Sequence, residues 1–351
     1  MNHSQSQKPH WLSLSHLQIR WLRYLIPLVL LGLAVHVLLP KFADLEKSWK
    51  VLRQMSGWLV GLAVLCQIGR YVGSGLLLQG LVQLAGGRLK LGRGMSIALA
   101  STSIGLVAVG AVGSMIAMYN WILSTGINKQ GAGLTAVLKS VFTNGLLFLL
   151  AVIGLIYLLL AHDLTSAQIF AFGFVLFILL LLAGGLIWGV FHPTALQFRL
   201  NKLLAFWSKL RRKPINSQGA AHFVQQLTEI WDVLRSGGWH RPLAGAVIRS
   251  SFDALTVYIL FIAAHHHIGF GLLLIGYGLP LLLGKVSFLP GGVGVVEATM
   301  TAIYTGLGVS TDVTVVVILG YRLLSFWIPL LFGFPLAVYL QRNTAVNHAT
   351  S

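Results

Sequence analysis

The sequence predicts an all-α polytopic membrane protein, with roughly six full spans and two broken re-entrant hairpins in an inverted-topology repeat. Three observations predict it. First, apolar runs of span length recur along 351 residues, 56% of them hydrophobic and 9% charged. No soluble domain of this size has that balance. Second, two apolar runs are interrupted by glycine-rich breaks, one at Gly110-Ala111-Val112-Gly113 and one at Pro290-Gly291-Gly292-Val293-Gly294. Third, Lys and Arg exceed Asp and Glu by 17, and they gather in some loops while leaving others empty.

The elements follow in order. Residues 1–20 read as a cytoplasmic N-terminal tail. Tyr24–Leu39 is an uncleaved first span, since Leu39-Pro40-Lys41 is no small-residue cleavage site. Lys41–Met55 is a charged connection with a short interfacial helix. Trp58–Leu84 spans and carries Arg70, and a basic turn with Arg88, Lys90 and Arg93 follows. Met95–Gly126 is the first broken segment. Leu134–Leu160 and Ile169–Val190 span, joined by a loop without Lys or Arg. The basic loop 192–242 holds eight Lys or Arg and two amphipathic stripes suited to a membrane surface. Leu243–Ala264 spans, with Arg249 and Asp253 inside it. Ile268–Gly308 is the second broken segment, Val313–Leu340 is the last span, and 343–351 is a tail. Residues 21–342 thus form a single transmembrane domain, with repeat A at about 56–160 and repeat B at about 243–340.

Charge sets the topology. The Arg88–Arg93 turn and the long loop belong inside only if Met95–Gly126 enters and returns on one side. Only the connection Lys41–Met55, with four Lys or Arg, disagrees. Both termini are then cytoplasmic. The two broken segments also align: GAVGSMIAMYNWILSTGI from Gly110 against GGVGVVEATMTAIYTGLGV from Gly291. Each is preceded by a span with an internal Arg (Arg70, Arg249) and followed by one with an internal cation (Lys139, Arg322).

The break at Pro290, Gly291, Gly292 and Gly294 frees backbone groups that hydrocarbon cannot satisfy. Glu297 follows it, and Thr301 and Thr305 extend one polar face. Gly110 and Gly113 are the corresponding break positions, or alternatively a close-packing seam. An ionised group at bilayer depth costs about 2.5–3.5 kcal/mol even on a lenient scale, so partners are needed. Five cations lie in apparent spans or hairpins (Arg70, Lys139, Arg249, Lys285, Arg322) against two carboxylates, Asp253 and Glu297. Arg249 and Asp253, at i and i+4, can pair on one helix. Lys139 and Lys285 lie near span ends, where their stems can reach headgroups. The candidate substrate-binding residues are therefore Arg249, Asp253, Glu297, Arg322 and Arg70. The cation surplus points to an anionic ligand, and a lipid phosphate suits this solvent.

Catalytic and metal signatures are missing. No Walker loop, Gly-x-Ser-x-Gly elbow or zinc spacing occurs. His265-His266-His267 are consecutive and cannot share a helix face, and the lone Cys66 reads as a core residue. No cofactor, metal or enzymatic activity is expected, and no soluble basic domain exists to bind nucleic acid.

FLPGGVGVVEATMTAIYTGLGVS, followed by YRLLSFWIPLLFG, resembles the signature of the lysylphosphatidylglycerol synthase transmembrane region, a family of flippase-like membrane proteins. The shared positions are Pro290, Gly291, Gly292, Gly294, Glu297, Gly308, Val309 and Arg322, with Asp253 to Leu255 in the preceding span. The resemblance covers about residues 20–340. In the first hairpin, where the family often has Pro-Gly-Gly, this chain has Val109-Gly110-Ala111. The resemblance implies the membrane domain alone, which in two-part members moves a phospholipid between leaflets, and argues against aminoacyl transfer. The expected function is translocation of an anionic phospholipid or lipid-linked substrate across the bacterial inner membrane. A non-catalytic membrane scaffold for an envelope-lipid or polysaccharide synthesis system is the alternative. The expected partners are membrane lipids through their anionic headgroups, then a second copy of the chain or an envelope-synthesis protein.

Overall fold

The computed structural model describes residues 45–107, 110–161, 164–199, 201–202, 225, 231–232, 235, 237–287 and 289–349. These residues are overwhelmingly helical, with no strand among them. A short helix, α1 (Leu45–Gln54), precedes α2 (Gly57–Leu84). The first broken segment is α3 (Leu91–Val107) and α4 (Gly110–Leu123). Two long helices follow, α5 (Lys129–Ala161) and α6 (Ser166–Phe191). After the basic loop come α7 (His240–Ala263) and α8 (Phe270–Val286). A 3-10 turn at Pro290–Gly292 leads to α9 (Val295–Gly306). Then α10 (Thr311–Arg322) passes through a π-helical turn, Leu323–Trp327, into α11 (Ile328–Ala349).

Five helical stretches are long and apolar enough to cross a membrane: Gly57–Leu84, Lys129–Leu160, Ser166–Gly189, His240–Ala263 and Thr311–Arg342. They match five of the six spans expected. The sixth, Tyr24–Leu39, lies outside the described residues, as does most of the amphipathic part of the basic loop.

Both broken segments are helical hairpins. In the first, Arg93 Nη2 at the base of α3 donates to Ser124 Oγ just past α4, at 3.1 Å. In the second, Gly276 of α8 faces Tyr304 of α9, and Gly284 faces Val296, so the arms run antiparallel. At 12 residues α9 is about 18 Å long, short of a bilayer core of about 30 Å. Residues 108–109, between α3 and α4, lie outside the described residues, and Gly110 and Gly113 both belong to α4.

The packing exchanges partners between the two halves. The first arm of the first hairpin, α3, packs on α11 at the end of repeat B. The first arm of the second hairpin, α8, packs on α5 at the end of repeat A. The equivalent helices α2 and α7 form the most extensive contact and run antiparallel, since Gly73 faces Arg249, Leu77 faces Gly245 and Gly80 faces Pro242. Two halves related by a two-fold axis in the membrane plane would pack in this way. Glycine lets these backbones approach. A Cβ at Gly245 would sit 2.7 Å from Leu77 Cα, with no flexible side chain to give way. A close-packing seam of small residues thus lies at the α2–α7 crossing.

The second break is held by charge. Gly291, Gly292 and Gly294 take φ values of 62°, 63° and 86°, a region costly for residues with a Cβ. Glu297 Oε2 accepts from the Gly294 amide at 2.7 Å, reaching back from the first turn of α9. Arg322 Nε donates to Glu297 Oε1 at 2.6 Å, and Arg322 Nη2 to the Gly291 carbonyl at 3.2 Å. Arg322 also lies over the Phe326 ring, 4.5 Å from its centroid. The two hydroxyls on the polar face bond within their own helix: Thr301 Oγ1 donates to the Glu297 carbonyl and Thr305 Oγ1 to that of Thr301, both at 2.7 Å.

Two outcomes test this fold. Gly245→Leu overpacks the α2–α7 crossing and should destabilise the protein by about 1–3 kcal/mol, read as a lowered melting temperature in detergent. Glu297→Ala leaves the Arg322 guanidinium buried without an anion and should cost about 3–5 kcal/mol. Adding Arg322→Met to Glu297→Ala should recover part of that loss, because the unpaired charge goes with it. A double variant as unstable as the sum of the two single variants would show that the pair does not act as a unit.

Candidate functional site

Asp253 sits on α7 with 2% of its surface accessible, where a carboxylate must be fully partnered. Oδ1 accepts from Gln67 Nε2 at 3.1 Å and from the Tyr321 hydroxyl at 3.4 Å. Oδ2 accepts from the Tyr277 hydroxyl at 3.0 Å and faces Arg70 Nε at 3.5 Å. The donors come from α2, α8 and α10, so one carboxylate joins four helices. The expected Arg249–Asp253 pair does not form. The α2–α7 crossing brings Arg70 against Asp253, and a partner across that interface replaces the one on the same helix.

Arg70 is fixed from two further sides. Its Nη1 donates to Gln67 Oε1 at 2.9 Å and to the Ser325 carbonyl at 3.3 Å. Pro329 explains why that carbonyl is available. It has no amide to bond back onto Ser325, and the chain there widens into the π turn.

Beside this network lies a cavity of about 370 Å³ between the two hairpins. Its wall includes Thr102 and Ser114 from the first hairpin, and Tyr277, Lys285 and Gly291 from the second. α2, α5, α7 and α10 supply Arg70, Lys139, Arg249, Asp253 and Arg322. All five cations counted in the sequence therefore line one space.

Their partners divide them. Arg70 is paired with Asp253, and Arg322 with Glu297. Lys139 Nζ donates to a neutral hydroxyl, Ser101 Oγ, at 3.3 Å. Lys285 Nζ donates to the neutral amide oxygen of Asn144. Arg249 has no hydrogen-bond or ion-pair partner among the described residues, and its backbone lies against Gly73. Three basic side chains thus face the cavity without a carboxylate partner among the described residues. The sequence count of three surplus cations holds, but their identities change. Lys139 and Lys285, read as headgroup-reaching residues, line the cavity, Lys285 at an exposed position, whereas Arg70 and Arg322 are paired with carboxylates. The site residues Arg70, Arg249, Asp253 and Arg322 are brought together here. Glu297 stands behind Arg322, holding the turn.

Other sequence readings find their places. Cys66 is a buried free cysteine. His265, at φ 56°, makes the turn after α7, and its Nε2 lies 3.1 Å from the Gln54 carbonyl. The histidine run is thus a cap joining the ends of α1 and α7.

Comparison with known proteins agrees with this architecture. A UPF0104 membrane protein of Pyrococcus horikoshii is 33% identical over 81 residues, which is 23% of this chain and 24% of that protein. The match thus spans about a quarter of the relative's length. Residues 29–333 match the family described as Lysylphosphatidylglycerol synthase TM region. That match takes in both hairpins, the Asp253 network and the cavity, and the chain belongs to this family of membrane proteins.

Proposed function

We propose that the protein carries an anionic phospholipid or lipid-linked substrate between leaflets, in the inner membrane of a bacterial cell, with both termini and the basic loop 192–242 cytoplasmic. One observation carries the reading: Lys139, Arg249 and Lys285 line a single interior cavity without a carboxylate partner. Holding cations at this depth is costly unless an anion answers them. A phosphate headgroup supplies the charge and the acceptor oxygens, while its acyl tails stay in hydrocarbon. A cavity of about 370 Å³ accommodates a headgroup and not a whole lipid, so the site must open sideways between helices.

The paired hairpins suit this task. Half-length arms meeting near the middle of the bundle can rock against one another about a fixed site. The paired residues form the frame in this reading. Arg70 and Asp253 hold the helices together, Arg322 and Glu297 hold the second break, and the three unpaired cations meet the headgroup. With no nucleotide loop in the chain, the drive would be a lipid or ion gradient.

In liposomes reconstituted with the protein, leaflet exchange of labelled phosphatidylglycerol and phosphatidic acid should exceed that of empty liposomes. Arg249→Ala removes a charged donor worth about 1.5–3 kcal/mol, so exchange should slow by about tenfold to a hundredfold while the melting temperature stays unchanged. No acceleration with either lipid would end the transport reading. Full exchange in Arg249→Ala, together with a constant co-purifying protein, would favour the scaffold.

A further inference from the structure

We infer that the cavity selects headgroups carrying two or more negative charges, a phosphomonoester or a diphosphate, over singly charged phosphodiesters and over headgroups bearing an ammonium. The inference rests on the lipid-carrying reading above and narrows its substrate class.

The first half of the argument is the charge count. The cavity wall holds five basic side chains, and among the described residues the carboxylates in reach are committed: Asp253 to Arg70 and Glu297 to Arg322. Lys139, Arg249 and Lys285 remain, three basic groups around one space that an anion would hold in their charged form. A phosphodiester brings one negative charge and leaves two cations repelling each other in a medium of low dielectric. A phosphomonoester brings up to two charges and three terminal oxygens, and a diphosphate more of each. The neutral donors beside the lysines fit the same ligand. Ser140 lies on α5 among the lining residues and accepts from Asn144 Nδ2, which leaves its own hydroxyl proton for a ligand, while the Ser287 hydroxyl donates to the Gly284 carbonyl. Charged contacts would set the affinity and hydroxyl contacts the orientation.

The second half is the missing acceptor. An aminoacylated or ethanolamine headgroup needs an anion for its ammonium. Both oxygens of Asp253 are occupied, by Gln67 and Tyr321 on one side and by Tyr277 and Arg70 on the other. Both oxygens of Glu297 are occupied too, by Arg322 and the Gly294 amide. An ammonium entering the cavity would find three basic groups and no free acid.

The test is lipid binding by the full-length protein in a neutral detergent, at low and at physiological salt. Phosphatidic acid, phosphatidylglycerol, phosphatidylethanolamine and lysyl-phosphatidylglycerol are compared, with inorganic phosphate and pyrophosphate as soluble arms. Phosphatidic acid is expected to bind about tenfold or more tightly than phosphatidylglycerol, and both ammonium-bearing lipids more weakly still. Lys139→Gln and Lys285→Gln should each shrink the ratio of phosphatidic acid to phosphatidylglycerol affinity. Lys285→Arg should keep it, which separates lost charge from lost folding. Equal binding of the two anionic lipids, or a ratio unmoved by Lys139→Gln, overturns the inference and leaves lipid carrying in place. Lysyl-phosphatidylglycerol binding as tightly as phosphatidic acid also overturns it. Pyrophosphate bound as tightly as phosphatidic acid keeps the charge rule and overturns the lipid assignment. Failure of every lipid and anion to bind overturns both.

Discussion

The Asp253 carboxylate is the contact on which the interior depends. It accepts from Gln67, Tyr277 and Tyr321 and faces Arg70, so α2, α7, α8 and α10 converge on one ion. In lipid the hydrophobic effect does little to choose among helix pairings, because tails are as apolar as leucine. A buried carboxylate does choose. Any arrangement that leaves it without these donors exposes a charge to a medium that cannot solvate it. The glycines at the α2–α7 crossing have the complementary role. They bring the backbones near enough for Arg70 to reach across, so one packing geometry and one hydrogen-bond set specify each other.

Much of this was legible in sequence, because the bilayer imposes length and hydropathy on every span. Five of six spans follow from those rules alone, while the hairpins needed the glycine breaks and the charge of the loops as well. The second break was readable because Pro290 and three nearby glycines cannot continue a helix, and Glu297 three residues past Gly294 has the spacing of a capping acid. What escaped was pairing across the fold. The i, i+4 rule offered Arg249 to Asp253, but Arg70 is brought from far along the chain by a crossing the sequence does not announce. Lys139 was misread for a different reason. Hydropathy begins its span at Leu134, while the helix begins at Lys129, which sets Lys139 about 15 Å along α5. Lys285 ends α8 at the tip of a hairpin, an exposed position that also lines the cavity. One cue was available and unused. Pro329 lies four residues after Ser325 and so marks a carbonyl open to a side-chain donor.

The two carboxylates share a pattern that bears on function. Each is paired with an arginine, and each pair fixes a backbone feature: Arg70 the Ser325 carbonyl beside the π turn, Arg322 the Gly291 carbonyl at the second break. Arginine suits such positions because its fork can serve a carboxylate and a carbonyl at once. Two of the unpaired cations are lysines on neutral partners, and a lysine head on a flexible stem is easily moved. The interior is thus divided between a rigid charged frame and mobile point charges within the same cavity.

That division answers the difficulty of placing so much positive charge at depth. A fully neutralised cavity would be more stable and would have no reason to admit an anion. A cavity without the two arginine–carboxylate pairs would have no fixed wall against which to hold one. With the pairs absorbing the structural demand, the remaining basic groups are free to be answered by a ligand, and in the proposed carrier the interior would gain stability when a headgroup arrives. The same stabilisation sets a limit on how tightly a carrier can bind. An occupied site that lies too deep in free energy would trap its cargo, so the neutral partners of Lys139 and Lys285 matter as much as their charge. In the proposed carrier, Ser101 and Asn144 would offer each lysine a partner to return to when the anion leaves.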